Sequence, residues 1–158
     1  MSVKGRRKEI RICIACCPGG HMVQAKHLAC VYEKYDHFYV TYPGGVAEGM
    51  SQVCRVRTVP DVLRSRPLSW FKGIIVSLYV AGSERPDIVI TTGAGAVVFF
   101  CIFAKMFGAK LIFIESMAKV KTPTLTARFL YPLADLFLVQ WPNLLSYFPR
   151  AKYYGRLL

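Results

Sequence analysis

Asp87-Ile88-Val89-Ile90-Thr91-Thr92-Gly93-Ala94-Gly95 is where the fold of this 158-residue chain is decided. The stretch Asp87 to Thr92 is apolar and unalternating at its centre, the pattern of a strand buried on both faces of a sheet. Gly93-Ala94-Gly95 breaks the run, and a helix to about Phe107 follows. Lys110 to Glu115 repeats the unalternating strand through Leu111-Ile112-Phe113-Ile114. Strand, helix and strand in this order make the crossover unit of a parallel sheet.

The alternation extends both ways from there. Upstream, Glu9 to Cys17 reads as a first strand, followed by a glycine turn and a helix from Met22 to Lys34. Asp36 to Thr41 is a second strand and Val53 to Val59 a third. Downstream, a helix is expected from Pro123 to Tyr131, with Thr122 as N-cap and Pro123 at its first position. Asp135 to Gln140 is the sixth strand. The fold expected is α/β, a Rossmann-like, doubly wound and mostly parallel sheet. Residues 9–158 form one domain behind a loose basic arm, residues 1–8.

Hydrophobic residues make up 54% of the chain and charged residues 19%, so apolar surface needs an outlet beyond an ordinary core. The net charge of +12, from 21 Lys and Arg against 9 Asp and Glu, attracts polyanions. Together these favour an anionic membrane surface and argue against nucleic acid, whose binders spread charge over a polar face. Cys13, Cys16, Cys17, Cys30, Cys54 and Cys101 match no zinc spacing, and Cys13-x-x-Cys16 lies inside a strand. They read as small core residues of a reducing compartment, and no metal is expected.

The polar start carries no signal-peptide pattern. The longest uncharged stretch, Ile88 to Ala104, is shorter than the roughly 20 residues of a spanning helix. The chain is therefore expected in the cytoplasm, peripheral on the cytoplasmic face of a membrane. Pro67 to Gly82 is the expected contact. Trp70, Phe71 and Ile74 belong to a nearly all-apolar surface with Lys72 in its thin polar strip, and Arg64 and Arg66 precede it. An ordinary crossover helix of the sheet has the same pattern.

In a doubly wound sheet, ligands bind beyond the carboxyl ends of the strands. That rule brings Pro18-Gly19-Gly20-His21, Thr91-Thr92-Gly93-Ala94-Gly95 and Glu115-Ser116 to one edge. Gly19 and Gly20 open a helix, where backbone N–H groups and partial positive charge suit an anion. Thr92, Gly93 and Gly95 form a second such cradle. Gly93-x-Gly95 with the acidic Glu115 downstream also imitates a dinucleotide-binding fingerprint, with Val98 where a small residue belongs. Two candidates can take a proton from an attacking hydroxyl, His21 and Glu115, and the sequence does not choose between them. Glu115 fits equally a helix cap or an ion pair with Lys119 or Lys121.

Several segments carry a resemblance: Gly19-Gly20-His21, Thr91-Thr92-Gly93-Ala94-Gly95, Glu115-Ser116, Tyr131-Pro132-Leu133-Ala134-Asp135, Val139-Gln140-Trp141-Pro142 and Tyr154-Gly155-Arg156-Leu157. The chain resembles the acceptor-side, membrane-associating subunit of the two-part N-acetylglucosaminyltransferase of the dolichol pathway. It resembles that subunit's bacterial counterparts in capsule and exopolysaccharide synthesis more closely still. The resemblance implies the amino-terminal half of a two-domain GT-B glycosyltransferase, cut into a separate chain. It implies a partner subunit that binds the sugar nucleotide, a UDP-sugar, while this chain binds no cofactor of its own. It implies a polyprenyl-diphosphate-linked saccharide as acceptor, with Ser116 and Lys119 joining the glycine loops around it. Two departures stand out. Pro18 removes one N–H donor, and Lys119 replaces an arginine common in the family. The family's eukaryotic members carry an amino-terminal anchor, so the polar start leads to the expectation of a bacterial type. A non-catalytic membrane scaffold for such a partner is the other reading of the resemblance.

Overall fold

The computed structural model describes residues 9–61 and 67–156. The expected basic arm, residues 1–8, and the expected membrane residues Arg64 and Arg66 lie outside the described residues.

Six strands form one parallel sheet: β1 (Arg11–Ala15), β2 (Asp36–Thr41), β3 (Val56–Thr58), β4 (Ile88–Thr91), β5 (Lys110–Ile114) and β6 (Leu136–Leu138). Their spatial order is β3-β2-β1-β4-β5-β6, and all five pairings are parallel. This order belongs to the doubly wound fold expected from the sequence, and it puts the switch point between β1 and β4. Cys13 pairs with Phe38 on one side and Val89 on the other, which fixes the register at the centre.

Helices cover both faces. On one face α1 (Gly20–Lys26) and α2 (Ala29–Tyr32) pack over Ile12, Ile14, Tyr39 and Ile90. On the other, α4 (Pro67–Glu84), α5 (Val98–Met106) and α6 (Leu125–Leu130) cover Cys13, Phe38, Val89, Leu111 and Phe113. A short α3 (Gly45–Ser51) joins β2 to β3. Its Pro43-Gly44-Gly45 entry lacks a clear apolar period, which hid it in the sequence.

The structure corrects several boundaries. The helix expected over Met22 to Lys34 is two helices, broken at His27 and Leu28. The third strand shrinks from Val53–Val59 to three residues at the sheet edge. Thr122 is not the cap of α6. Thr124 is, its hydroxyl accepting from the Ala127 N–H at 3.0 Å. Of the six cysteines only Cys13, Cys16 and Cys101 are buried, while Cys30 is exposed. Burial pushes the Cys16 and Cys101 thiols up to about 12, so neither acts as a thiolate at neutral pH.

The helix α4 turns its small side inward. Gly73, Ser77, Val80, Ala81 and Glu84 are buried against the domain, at helical spacing. Trp70, Phe71, Ile75, Leu78 and Tyr79 point outward, Phe71 and Tyr79 with 69% and 74% of their surface exposed. Lys72 is exposed among them and Ile74 is half-buried. Small inward residues let α4 lie close to α5, and Phe71, Ile75 and Tyr79 keep most of their surface in solvent. No described helix is long and apolar enough to cross a membrane.

Candidate functional site

A cleft of about 270 Å³ opens at the switch point, lined by Cys17, Pro18, His21, Tyr42, Asp61, Ala94, Gly95 and Ala96. Four loops build it, those after β1, β2, β3 and β4. The turns after β1 and β4 are held together by a reciprocal pair of bonds. The ring Nδ1 of His21 lies 3.0 Å from the Thr92 carbonyl oxygen. The Thr92 hydroxyl donates to the His21 carbonyl at 3.1 Å.

That first bond sets the chemistry of His21. A carbonyl oxygen only accepts, so Nδ1 carries the proton and Nε2 keeps its lone pair. Burial pulls the imidazole below the usual histidine value. The Thr92 carbonyl and the negative charge of Glu115 pull the other way without reversing it. His21 is thus neutral at physiological pH, oriented, and basic at Nε2.

The glycines serve the same geometry. Gly19 sits at φ +90° and Gly93 at φ +81°, a region that side chains strain to enter. At Gly93 a Cβ would also approach the buried Phe113 ring to 3.0 Å. Its N–H is held at 3.1 Å by the Thr91 hydroxyl, which keeps the turn shut. Neither α1 nor the 3₁₀ turn Gly95–Val97 that leads into α5 has a side-chain cap. Both begin at the cleft, so their first N–H groups remain for a ligand or solvent.

The loop after β5 is built differently. Glu115 is fully buried, and it is not among the residues lining the cleft. One carboxylate oxygen accepts from the Ser116 N–H at 2.8 Å, the other from the Thr124 N–H at 3.0 Å. The Thr124 hydroxyl donates to the same carboxylate at 3.2 Å. Of the two alternatives to a base, the ion pair with Lys119 or Lys121 is absent among the described residues, while the helix-cap alternative fits, since backbone and hydroxyl donors at the start of α6 hold the carboxylate. The dinucleotide pattern therefore loses its acidic partner, because the carboxylate already serves α6. Ser116 is buried beside it, its hydroxyl oxygen 3.4 Å from the Ala118 N–H, and Lys119 is exposed on the next turn. Of the residues singled out in the sequence, His21 and Gly95 line the cleft, Gly19, Gly20, Thr92 and Gly93 belong to the two turns that carry them, and Glu115, Ser116 and Lys119 do not line it, although the charge of Glu115 reaches His21.

Asp61 and Tyr42 line the cleft and escaped the sequence reading. Both follow strands, Asp61 after β3 and Tyr42 after β2. Applying the carboxyl-edge rule to every strand, and not only to those with glycine turns, finds them. No cluster of metal-ligating side chains occurs among the described residues.

Comparison with known proteins locates the chain. The family model described as "Oligosaccharide biosynthesis protein Alg14 like" matches residues 32–157. The "UDP-N-acetylglucosamine transferase subunit alg14" of Schizosaccharomyces pombe is 35% identical over 112 residues, covering 66% of this chain and 53% of that protein. The corresponding subunit of Rattus norvegicus is 31% identical over 110 residues, covering 60% and 51%. The chain spans about half the length of these curated relatives. Among solved structures, MurG of Acinetobacter baumannii superposes with a TM-score of 0.71 at 14% identity, over 85% of this chain and 42% of that one. At that identity the likeness is one of fold, the Rossmann-like GT-B architecture.

Proposed function

The chain belongs to the Alg14-like family of oligosaccharide biosynthesis proteins, and on that premise we propose that it is the acceptor-binding subunit of a two-component glycosyltransferase. Its acceptor is a saccharide on a polyprenyl diphosphate, in polysaccharide biosynthesis. A partner subunit binds the sugar nucleotide, a UDP-sugar, and closes over the cleft. The observation that carries this reading is the clamp between His21 and Thr92, which leaves an imidazole lone pair at the mouth of two uncapped helix starts.

The chemistry follows from that placement. The uncapped N–H groups after Gly19 and at Gly95 bind the acceptor's diphosphate. An acceptor hydroxyl, held near Nε2 of His21, attacks the anomeric carbon of the donor sugar. The new C–O bond forms as the bond from that carbon to the nucleoside diphosphate breaks. His21 takes the hydroxyl proton, and the nucleoside diphosphate leaves on the partner. A positioned base of this kind contributes about 10²–10⁴-fold. Glu115 is assigned the supporting role: it ties α6 to the sheet and places its charge near His21. The outward apolar face of α4, with Lys72, rests on the cytoplasmic leaflet.

The test is reconstitution. Transfer from UDP-N-acetylglucosamine and other nucleotide sugars to a polyprenyl-diphosphate-linked acceptor is measured with and without a nucleotide-sugar-binding partner. Turnover is expected only with both chains present. Robust turnover by this chain alone rejects the split-enzyme reading. Parental turnover of His21→Ala in the pair leaves this chain a scaffold.

A further inference from the structure

We infer that the apolar groove between α4, α5 and α6 holds the first isoprenoid units of the acceptor lipid. The inference rests on the diphosphate reading of the cleft. The groove measures about 360 Å³ and is lined by Trp70 of α4, Val98, Phe99 and Ile102 of α5, and Leu125 and Phe129 of α6, with Gly95 and Thr126 completing it. That volume falls in the range of about 300–1,000 Å³ typical of ligand pockets. Among the described residues, no charged side chain lines it.

Continuity selects the occupant. Gly95 lines both the groove and the cleft that contains His21. A lipid diphosphate joins an anionic head to an apolar chain by one covalent bond. A site for the head must therefore adjoin an apolar channel for the chain, and the turn at Gly95 provides that junction. The 3₁₀ turn Gly95–Val97 faces the cleft with Gly95 and Ala96, and the helix that follows gives the groove its wall.

The outer end of the groove points the same way. Leu125 and Phe129 are 70% and 69% exposed, and Trp70 stands opposite them at 43%. Phe71 and Ile75 extend this apolar surface along α4. The chain of the lipid thus runs from the bilayer side, through the groove, to the diphosphate at Gly95. An apolar wall of this kind has no use for the saccharide, which stays on the polar side with His21.

The test uses the full chain in detergent-free buffer and three probes: inorganic diphosphate, dimethylallyl diphosphate and geranyl diphosphate. Affinities are read by calorimetry. Geranyl diphosphate is expected to bind at least about tenfold more tightly than dimethylallyl diphosphate, since five further carbons leave water. Ile102→Trp, which fills the groove, removes that gain while leaving inorganic diphosphate unaffected. Leu125→Glu acts at an exposed position where folding is not at stake, and it reduces the gain as well. Equal affinity for the two prenyl diphosphates, or a gain intact in both variants, overturns the groove assignment and spares the cleft. Failure of all three probes to bind overturns the diphosphate reading, and the groove assignment falls with it.

Discussion

The two edges of the sheet treat their polar groups in opposite ways. At the amino edge, strand after strand begins with a charge, and the charges neutralise one another. Arg11 at the start of β1 donates to Asp36 at the start of β2 at 2.7 Å. Glu84, nearly buried, receives Arg57 at 2.7 Å as well as Arg55 and, more distantly, Arg11. Asp135 before β6 receives Lys105, Lys110 and the Leu111 N–H. At the carboxyl edge the groups turn to the backbone or to open space. His21 spends one nitrogen on a carbonyl and keeps the other free of it. Two helices start there uncapped, and the buried Thr41 hydroxyl lacks a hydrogen-bond partner among the described residues. Where polar groups satisfy each other, they serve the fold. Where a folded domain leaves them oriented and unspent, they are available for a ligand.

Substitutions on the two edges should separate accordingly. His21→Ala is expected to lower turnover of the reconstituted pair by about 10²–10⁴-fold with little change in acceptor affinity, and to cost about 1 kcal/mol of stability with the lost bond to the Thr92 carbonyl. The parental rate should fall as pH drops through a value below that of an ordinary histidine, because Nε2 must be unprotonated. Gly93→Ala comes next. It joins a left-handed backbone to a clash with Phe113, and should cost roughly 2–4 kcal/mol in chemical denaturation, with the cleft distorted too. Glu84→Ala strands Arg55 and Arg57. A cost of about 1–3 kcal/mol is expected, moderated because the arginines are a third to a half exposed, and turnover per folded molecule should stay parental.

Smaller effects sharpen the contrast. Thr92→Val deletes one bond of the clamp and spares the ring bond, so about 1 kcal/mol and less than about tenfold in rate should be lost. Asp135 gives the mildest signal. Burial pushes its carboxyl up, yet Lys105, the Leu111 N–H and Lys110 together bring it down to about 2. A depressed carboxyl stabilises the fold above the ordinary carboxylate range and loses that contribution as pH falls toward about 2. Acid titration of stability in Asp135→Asn should be flatter than the parent's in that window.

The sheet was legible because its strands are apolar runs separated by glycine turns, a pattern that tertiary context rarely overrides. The cap of α6 was not, since Thr122-Pro123-Thr124 offers two hydroxyls and only the position of Glu115 favours the second. His21 could be named from topology, but its tautomer depends on where the Thr92 carbonyl falls. Asp61 and Tyr42 were missed because no glycine marks their loops. The outward face of α4 could not be oriented from sequence either. Its apolar residues surround the helix, and the smallness of Gly73 and Ser77 decides which side packs.

The most direct test is nitrogen NMR of the imidazole rings in the full chain, with the three histidines assigned by substitution. His21 should be neutral at pH 7 with its proton on Nδ1, and geranyl diphosphate should shift its Nε2 resonance while leaving His27 and His37 unmoved. A proton on Nε2, a His21 that is charged at pH 7, or a ring indifferent to the diphosphate would contradict the assignment of this edge as the acceptor site.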